Sequence, residues 1–180
     1  MFLKKEFYFL RHGQTDVNKT GSTTDHSDIS LNEHGRLQAR EIESVIKSLP
    51  IKTVCCSPLK RAKETKEIVT ASLDVPHCEI MDLTECNWKI WFAMTKLGLE
   101  ARHSQEDPVF SFMQQVQRGI NSALSQEGPV LIVAHGGIHW AMCCLMNVAH
   151  EWVIENCGAV HFTVEKNGSW NARKLGFPRQ

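Results

Sequence analysis

Basic side chains with catalytic potential follow two strongly apolar runs of this sequence. Arg11 and His12 follow the run at residues 7–10, and His135 follows the run at residues 130–134. In open α/β sheets, ligands bind beyond the carboxyl ends of the strands. A histidine can act as a nucleophile when one ring nitrogen is unprotonated and an acceptor holds the other. If both runs are strands, Arg11, His12 and His135 meet at one edge of a sheet.

Arg61 lies on the apolar face of a predicted helix. Ser57 and Pro58 are a helix start signal, with serine at the N-cap and proline at the first helical position. At about 100° per residue, Arg61 falls within an arc formed by Ala62, Thr65, Ile68, Val69 and Leu73. A guanidinium there needs an anion, and a helix N-terminus favours phosphate. The alternative is that Arg61 pairs with a carboxylate of the core.

Glu85 brings a carboxyl group towards the same edge, because it follows a third and weaker apolar run at residues 78–81. Taken alone, Glu85 is a surface carboxylate, and His12 or His135 alone is a structural or surface histidine. Their shared placement at strand ends favours a common site.

The elements that must position these side chains alternate between strands and helices. Runs that are apolar on both faces predict strands of a parallel sheet over residues 7–10, 53–56, 78–81 and 130–134. Apolar spacings of three and four predict helices over residues 32–49, 57–73, 108–126 and 138–146. Asn167-Gly168 predicts a hairpin turn between residues 159–165 and 169–174. The sequence therefore predicts an α/β fold, a three-layer α/β/α sandwich with a mostly parallel central sheet, in a single domain over residues 1–180.

Composition narrows the class of partner. The chain has 180 residues, and its 20 Lys+Arg balance its 20 Asp+Glu. It therefore lacks the excess of positive charge that is typical of proteins that bind nucleic acids or anionic membranes. No apolar run approaches the ~20 residues that span a bilayer, and residues 1–10 are interpreted as a first strand and not as a signal peptide. The seven cysteines form no Cys-x-x-Cys motif and are expected to be reduced thiols of a cytoplasmic protein.

Four sequence blocks resemble motifs of the histidine phosphatase superfamily, in its phosphoglycerate-mutase-like branch. Residues 10–15 read LRHGQT and precede Asn18, as in the signature of that family. Residues 30–39 (SLNEHGRLQA), 57–65 (SPLKRAKET) and 133–137 (VAHGG) resemble its later motifs in order and spacing. The resemblance covers most of the chain and implies a phosphoglycerate-mutase-like fold.

The resemblance also implies a role for each matching residue. His12 would be the nucleophile and form a transient phosphohistidine. Glu85 would donate a proton to the leaving oxygen and later help to activate water. The phosphoryl oxygens would be bound by Arg11, Asn18, Arg61 and His135, and also by Thr15. The implied partner is a small phosphorylated substrate or a phosphoprotein, and the scheme requires neither a metal nor a cofactor.

The stretch after Glu85 departs from the family pattern. Residues 85–92 read ECNWKIWF and lack the glycines and the second glutamate that many members carry. The segment at residues 86–107 is short for a mutase, which favours hydrolysis over transfer between two hydroxyl groups. Three aromatic side chains of this stretch can line either the pocket or the core: Trp88, Trp91 and Phe92.

Three other functions remain open at this point. The nearest is phosphoryl transfer of the phosphoglycerate-mutase type. A metal-dependent hydrolase would use the cysteines and histidines, with His135 and His139 at helical i,i+4 spacing and further candidates at His26, His34, His103, His150 and His161. A binding module without turnover would be expected to lack His12, Arg61 or His135, and the chain has all three.

Overall fold

The computed structural model describes residues 1–21, 28–105, 107–148 and 154–176, which form six strands and six α-helices. The strands are β1 (Phe7–Arg11), β2 (Thr53–Cys56), β3 (His77–Glu79), β4 (Val130–Ala134), β5 (Ala159–Val164) and β6 (Trp170–Leu175). The helices are α1 (Asp16–Thr20), α2 (Glu33–Lys47), α3 (Lys60–Val69), α4 (Trp88–Leu97), α5 (Val109–Leu124) and α6 (Gly136–Met146). Two short 3₁₀ helices flank α4, at Met81–Leu83 and Gly98–His103.

The six strands form one sheet in the order β3-β2-β4-β1-β5-β6. The first four are mutually parallel, whereas β5 and β6 are antiparallel additions at one edge. Every residue of β2 and β4 is buried, as expected for strands that are covered on both faces. The predicted fold class, an α/β sandwich with a mostly parallel central sheet, is confirmed.

The two faces of the sheet bury separate apolar clusters. On one face, α2 and α3 pack through Ile42, Ile46 and Val69, among others. On the other face lie α5 and α6, together with Met94 of α4. Adjacent cysteines of β2 divide between the faces, since Cys55 belongs to one cluster and Cys56 to the other. This placement follows from the alternation of side chains along a strand.

Most predicted elements agree with the structure, but the start of α3 does not. Asn32 caps α2 as predicted, and its side chain accepts a hydrogen bond from Gly35 N at 2.8 Å. The predicted hairpin is also present, with Gly168 at φ 80° between β5 and β6. Helix α3, however, begins at Lys60 with Leu59 as its N-cap. The prediction of an N-cap at Ser57 was therefore wrong, because the Ser57 hydroxyl lies ahead of the helix, where it contacts both Leu59 N and His135 Nε2.

Strand register brings the predicted site residues to one edge of the sheet. Arg11 pairs with Ala134 across β1 and β4, so His12 and His135 follow at the same level. The amide of His12 donates to Ala134 O at 3.0 Å, and that of Ser57 donates to Val133 O at 3.0 Å. Three neighbouring parallel strands therefore end together. The single-domain organisation of residues 1–180 stays a prediction.

Candidate active site

The ring of His12 is oriented by the residue that follows it. His12 is buried, and its Nδ1 lies 2.7 Å from the carbonyl oxygen of Gly13. A carbonyl only accepts hydrogen bonds, so Nδ1 carries the proton and Nε2 keeps its lone pair. Burial, followed by the charges of Arg11 and Arg61, places the pKa of His12 well below its ordinary value. His12 is therefore neutral at pH 7, as a nitrogen nucleophile must be.

His135 lies directly beside His12. The ring centroids are 5.1 Å apart, and His135 has no solvent exposure. Its Nε2 lies 2.7 Å from the hydroxyl oxygen of Ser57, whereas its Nδ1 is buried without a partner in the described part of the chain. Burial and then the neighbouring His12 hold the pKa of His135 well below its ordinary value. The site thus contains two neutral imidazoles.

Two guanidinium groups supply the positive charge of the site. Nη1 of Arg11 donates to Ile154 O, but its Nε is buried without a partner among the described residues. Within the same residues Arg61 forms no ion pair, although it lies within the electrostatic range of Glu85 and Asp28. Burial lowers the pKa of both arginines, and Glu85 opposes this shift in each case. Two partly buried cations with one shared carboxylate leave positive charge for an anion.

Glu85 is held at the start of α6. Its Oε2 accepts a hydrogen bond from Gly137 N at 2.9 Å, and its Oε1 accepts one from Cys86 N at 3.0 Å. A helix N-terminus attracts negative charge, which contributes to this placement. A Cβ at position 137 would lie 2.3 Å from Glu85 Oε1, so the carboxylate fits because residue 137 is glycine. The structure thus brings Glu85 to the helix that follows His135.

Thr15 and Asn18 form a capping box on α1. The backbone N–H of Asn18 donates to Thr15 Oγ1 at 3.2 Å, and the backbone N–H of Thr15 donates to Asn18 Oδ1 at 3.1 Å. The Thr15 hydroxyl also donates to Asn18 Oδ1, at 3.1 Å, so its single proton is already used. The side-chain nitrogen Nδ2 of Asn18 donates to none of the groups that hold Oδ1 in the described part of the chain. These contacts support a structural role for Thr15 and leave Asn18 able to contact an anion.

Asn156 is a site residue that the sequence did not indicate. Its Nδ2 donates to His12 O at 3.0 Å and to Asn18 Oδ1 at 3.2 Å. The next residue, Cys157, has a φ of 55° and donates its backbone N–H to Arg11 O at 3.1 Å and to His12 O at 3.2 Å. Asn156 is 144 residues from His12, and no local pattern of the sequence links the two.

The aromatic residues after Glu85 divide between core and surface. Trp91 packs edge-on against the buried Trp140, with ring centroids 6.3 Å apart. Trp88 and Phe92 are 42% and 64% exposed. Trp91 is therefore a packing residue, whereas Trp88 and Phe92 present an apolar surface on α4.

The described histidines that were considered as alternative metal ligands do not gather into a metal site. The described ranges contain no group of three or more His, Cys, Asp or Glu side chains that could hold a metal ion. His139 is buried in α6 and packs against Phe9, with ring centroids 5.3 Å apart. His26 and His150 lie outside the described residues.

Comparison with known proteins identifies the family. The family model of the histidine phosphatase superfamily (branch 1) matches residues 7–176. The chain belongs to this superfamily. The predicted family and the predicted enzyme class, a phosphatase, are confirmed.

Several relatives of this histidine phosphatase are named phosphatases. The chain is 26% identical over 183 residues to the adenosylcobalamin/alpha-ribazole phosphatase of Salmonella typhimurium, covering 92% of this chain and 88% of the relative. It is 34% identical over 137 residues to the uncharacterized phosphatase PhoE of Bacillus subtilis, covering 71% and 69%. A probable phosphatase of Schizosaccharomyces pombe is 39% identical over 145 residues, covering 72% and 67%.

Solved structures agree on the fold. YhfR of Bacillus stearothermophilus superposes with a TM-score of 0.74 at 19% identity, covering 97% of this chain and 98% of that chain. A mycobacterial glucosyl-3-phosphoglycerate phosphatase in complex with VO3 gives a TM-score of 0.69 at 20% identity, covering 98% and 100%. At this identity the likeness concerns the fold alone.

None of the described helices combines the length and apolar character needed to cross a bilayer.

Proposed function

We propose that the protein hydrolyses a phosphomonoester, or a phosphorylated protein side chain, through a covalent phosphohistidine on His12. The observation that carries this proposal is the hydrogen bond of 2.7 Å between His12 Nδ1 and Gly13 O. It leaves Nε2 as the only nitrogen of that ring with a free lone pair. The same ring lies beside a second histidine and within the electrostatic range of Arg11 and Arg61.

In the first step, the lone pair of His12 Nε2 attacks phosphorus, and the bond from phosphorus to the leaving oxygen breaks. Glu85, in its protonated form, gives its proton to that oxygen. In the second step, the Glu85 carboxylate accepts a proton from water as the water oxygen attacks phosphorus. The P–N bond then breaks, its electron pair returns to Nε2, and phosphate leaves.

Charge stabilisation is assigned to the residues around His12. Arg11, Arg61 and His135 bind the phosphoryl oxygens, and the amide nitrogen of Asn18 adds a donor. Phosphoryl transfer needs mainly positioning and electrostatic stabilisation, and two guanidinium groups supply the charge without a metal or another cofactor. Thr15 acts through the capping box, and its own contact with phosphate is not required.

Hydrolysis is favoured over mutase-type transfer. The described residues between Glu85 and Pro108 form α4 and one short 3₁₀ helix, which is a small structure for excluding water during transfer between two hydroxyl groups. The substrate is proposed to be a small phosphorylated compound. The adenosylcobalamin/alpha-ribazole phosphatase and the glucosyl-3-phosphoglycerate phosphatase described above are named for different compounds, so likeness to them does not select one substrate.

The protein is proposed to act in the cytoplasm, without nucleic-acid or membrane partners. All seven cysteines are free thiols, as is usual in a reducing compartment. The balanced formal charge supports a small-molecule substrate over a polyanion.

A screen of phosphomonoesters, with and without excess EDTA, tests the proposal. We expect phosphate release equal to substrate loss, and the same rate in EDTA. Activity that EDTA abolishes and one divalent ion restores would favour the metal-dependent hydrolase. Interconversion of 2- and 3-phosphoglycerate with little free phosphate would favour the mutase.

A further inference from the structure

The side chain of Ser57 is fully buried directly after β2, in contact with the Nε2 atom of His135. Its Oγ lies 2.7 Å from His135 Nε2, and neither side chain has solvent exposure. Ser57 Oγ also accepts a hydrogen bond from Leu59 N at 3.3 Å. The hydroxyl that the sequence indicated as a helix cap is therefore shared between the entry to α3 and the second histidine.

Proton counting decides the direction of the bond between these residues. A serine hydroxyl has one proton to donate and two lone pairs to accept. If His135 Nε2–H donated to Ser57, the serine proton would have no acceptor among the described residues. A buried hydroxyl without an acceptor is costly. Donation from Ser57 to a bare Nε2 avoids this penalty, and one of the two lone pairs of Oγ accepts the hydrogen bond from Leu59 N–H.

The other ring nitrogen of His135, Nδ1, carries the proton in this arrangement. If Nε2 is bare, a neutral ring carries its proton on Nδ1. His135 Nδ1 is buried without a partner in the described ranges, as is Arg11 Nε. Two unsatisfied buried N–H donors, beside a neutral nucleophile and a second guanidinium, are suited to a bound anion with several acceptor oxygens.

We propose that Ser57 is a positioning residue that donates to His135 Nε2 and so holds His135 in the tautomer that presents Nδ1–H to a phosphoryl oxygen. This inference rests on the proposed function for the identity of the anion. The tautomer itself is a property of the free protein and can be measured without turnover.

The test is long-range ¹H–¹⁵N NMR of protein labelled with ¹⁵N-histidine, at a pH where the imidazoles are neutral. Loss of signals in His135→Gln assigns the ring. We expect a proton on Nδ1 and none on Nε2 in the wild type. Orthovanadate should shift the Nδ1 resonance more than the Nε2 resonance. A proton on Nε2 in the wild type would overturn the inference.

Three variants separate positioning from packing. Ser57→Ala removes the hydroxyl and should yield a mixture of tautomers, with kcat reduced roughly 10- to 100-fold. Ser57→Thr keeps a hydroxyl and should keep the Nδ1–H tautomer and most of the activity. The control, Thr53→Val, removes another buried hydroxyl from β2, one that donates to Glu127 O at 2.8 Å. It should leave both readouts unchanged.

Failure of this inference differs from failure of the proposed function. If the Ser57→Ala variant kept the His135 tautomer of the wild type, this would contradict the role of Ser57, whatever the activity of the variant. A wild-type protein with the Nδ1–H tautomer but no turnover of any phosphomonoester would contradict the proposed function and support the tautomer assignment. If Ser57→Ala does not fold, the wild-type and Ser57→Thr spectra still decide the direction of the bond.

Discussion

Glu85 and Gly137 are joined by a hydrogen bond of 2.9 Å, from the first turn of α6 to a carboxylate 52 residues earlier in the chain. Because α6 begins directly after His135, this bond ties the proposed proton donor to the helix that follows the second histidine. The contact needs a residue without a side chain, since a Cβ at position 137 would lie 2.3 Å from Glu85 Oε1. The position of the carboxylate therefore depends on one glycine.

The first prediction concerns the displacement of this carboxylate. In Gly137→Ala the new methyl group meets the flexible end of Glu85 and the thiol of Cys86, so we expect the protein to fold with Glu85 moved. Turnover of alkyl phosphates should fall at least about 10-fold, because a poor leaving group needs a well-placed acid. Aryl phosphates should be affected less. Steady-state kinetics against substrates of graded leaving-group pKa measure this.

Glu85→Gln is the matched comparison for the first prediction. It should reproduce the leaving-group dependence of Gly137→Ala, and both variants should still bind orthovanadate. If turnover of alkyl and aryl phosphates fell equally in both variants, Glu85 would not be the general acid.

The second prediction concerns the charge of Arg61. Arg61→Ala should weaken orthovanadate binding by roughly 1.5–3 kcal/mol, the range of a charge-assisted hydrogen bond, and should slow turnover. The control is Lys60→Ala, which removes the same charge from the preceding, exposed residue of α3. Isothermal titration calorimetry with orthovanadate measures the binding free energy of both variants. Equal effects would show that general charge, and not a contact of Arg61, attracts the anion.

Much of this arrangement could be predicted from the sequence, because the signals were local. The continuous apolar run of β4 indicated a buried parallel strand, and the residue that follows such a strand lies at the ligand-binding edge, which located His135. Arg61 was found because a charged residue lay within an apolar helical arc. Asn32 followed from ordinary N-cap chemistry.

The contacts that could not be predicted join distant parts of the chain. Ser57 before Pro58 has the pattern of a helix cap, but its hydroxyl also forms a hydrogen bond with His135, 78 residues away, which the pattern does not indicate. Asn156 reaches the carbonyl of His12 across 144 residues. Such bonds depend on strand order and register, and neither can be read from local spacing.

The third prediction concerns Asn156. In Asn156→Ala, the carbonyl of His12 keeps its bond from Cys157 N, so no buried acceptor is left without a donor and the protein should remain folded. The His12 loop and Asn18 lose a shared donor worth roughly 0.5–1.5 kcal/mol. Turnover should fall by about 2- to 10-fold on that scale. Unchanged kcat and KM would show that Asn156 does not position the nucleophile.

The fourth prediction concerns stability in acid. The pKa values of His12 and His135 are held well below the ordinary value by burial, so below about pH 6.5 the unfolded chain binds protons that the folded chain does not. The free energy of unfolding should therefore fall with decreasing pH, by about 1.4 kcal/mol per pH unit for each histidine. This loss should continue until the folded-state pKa values are reached.

Urea denaturation between about pH 7 and pH 5 measures this loss. The double variant His12→Asn, His135→Asn should have a shallower slope, whereas a variant of the exposed His34 of α2 should keep the wild-type slope. A wild-type stability that is flat across this range would contradict the neutral, buried state of the two rings.

The most direct test of the mechanism is the chemical trapping of the intermediate. Brief reaction with a ³²P-labelled phosphomonoester, quenched without acid, should leave label on the protein that is stable in alkali and lost in acid. Peptide mapping should locate it on His12, and His12→Ala should give neither label nor turnover. A His12→Ala protein with turnover near that of the wild type, or label on another residue, would contradict the phosphohistidine mechanism.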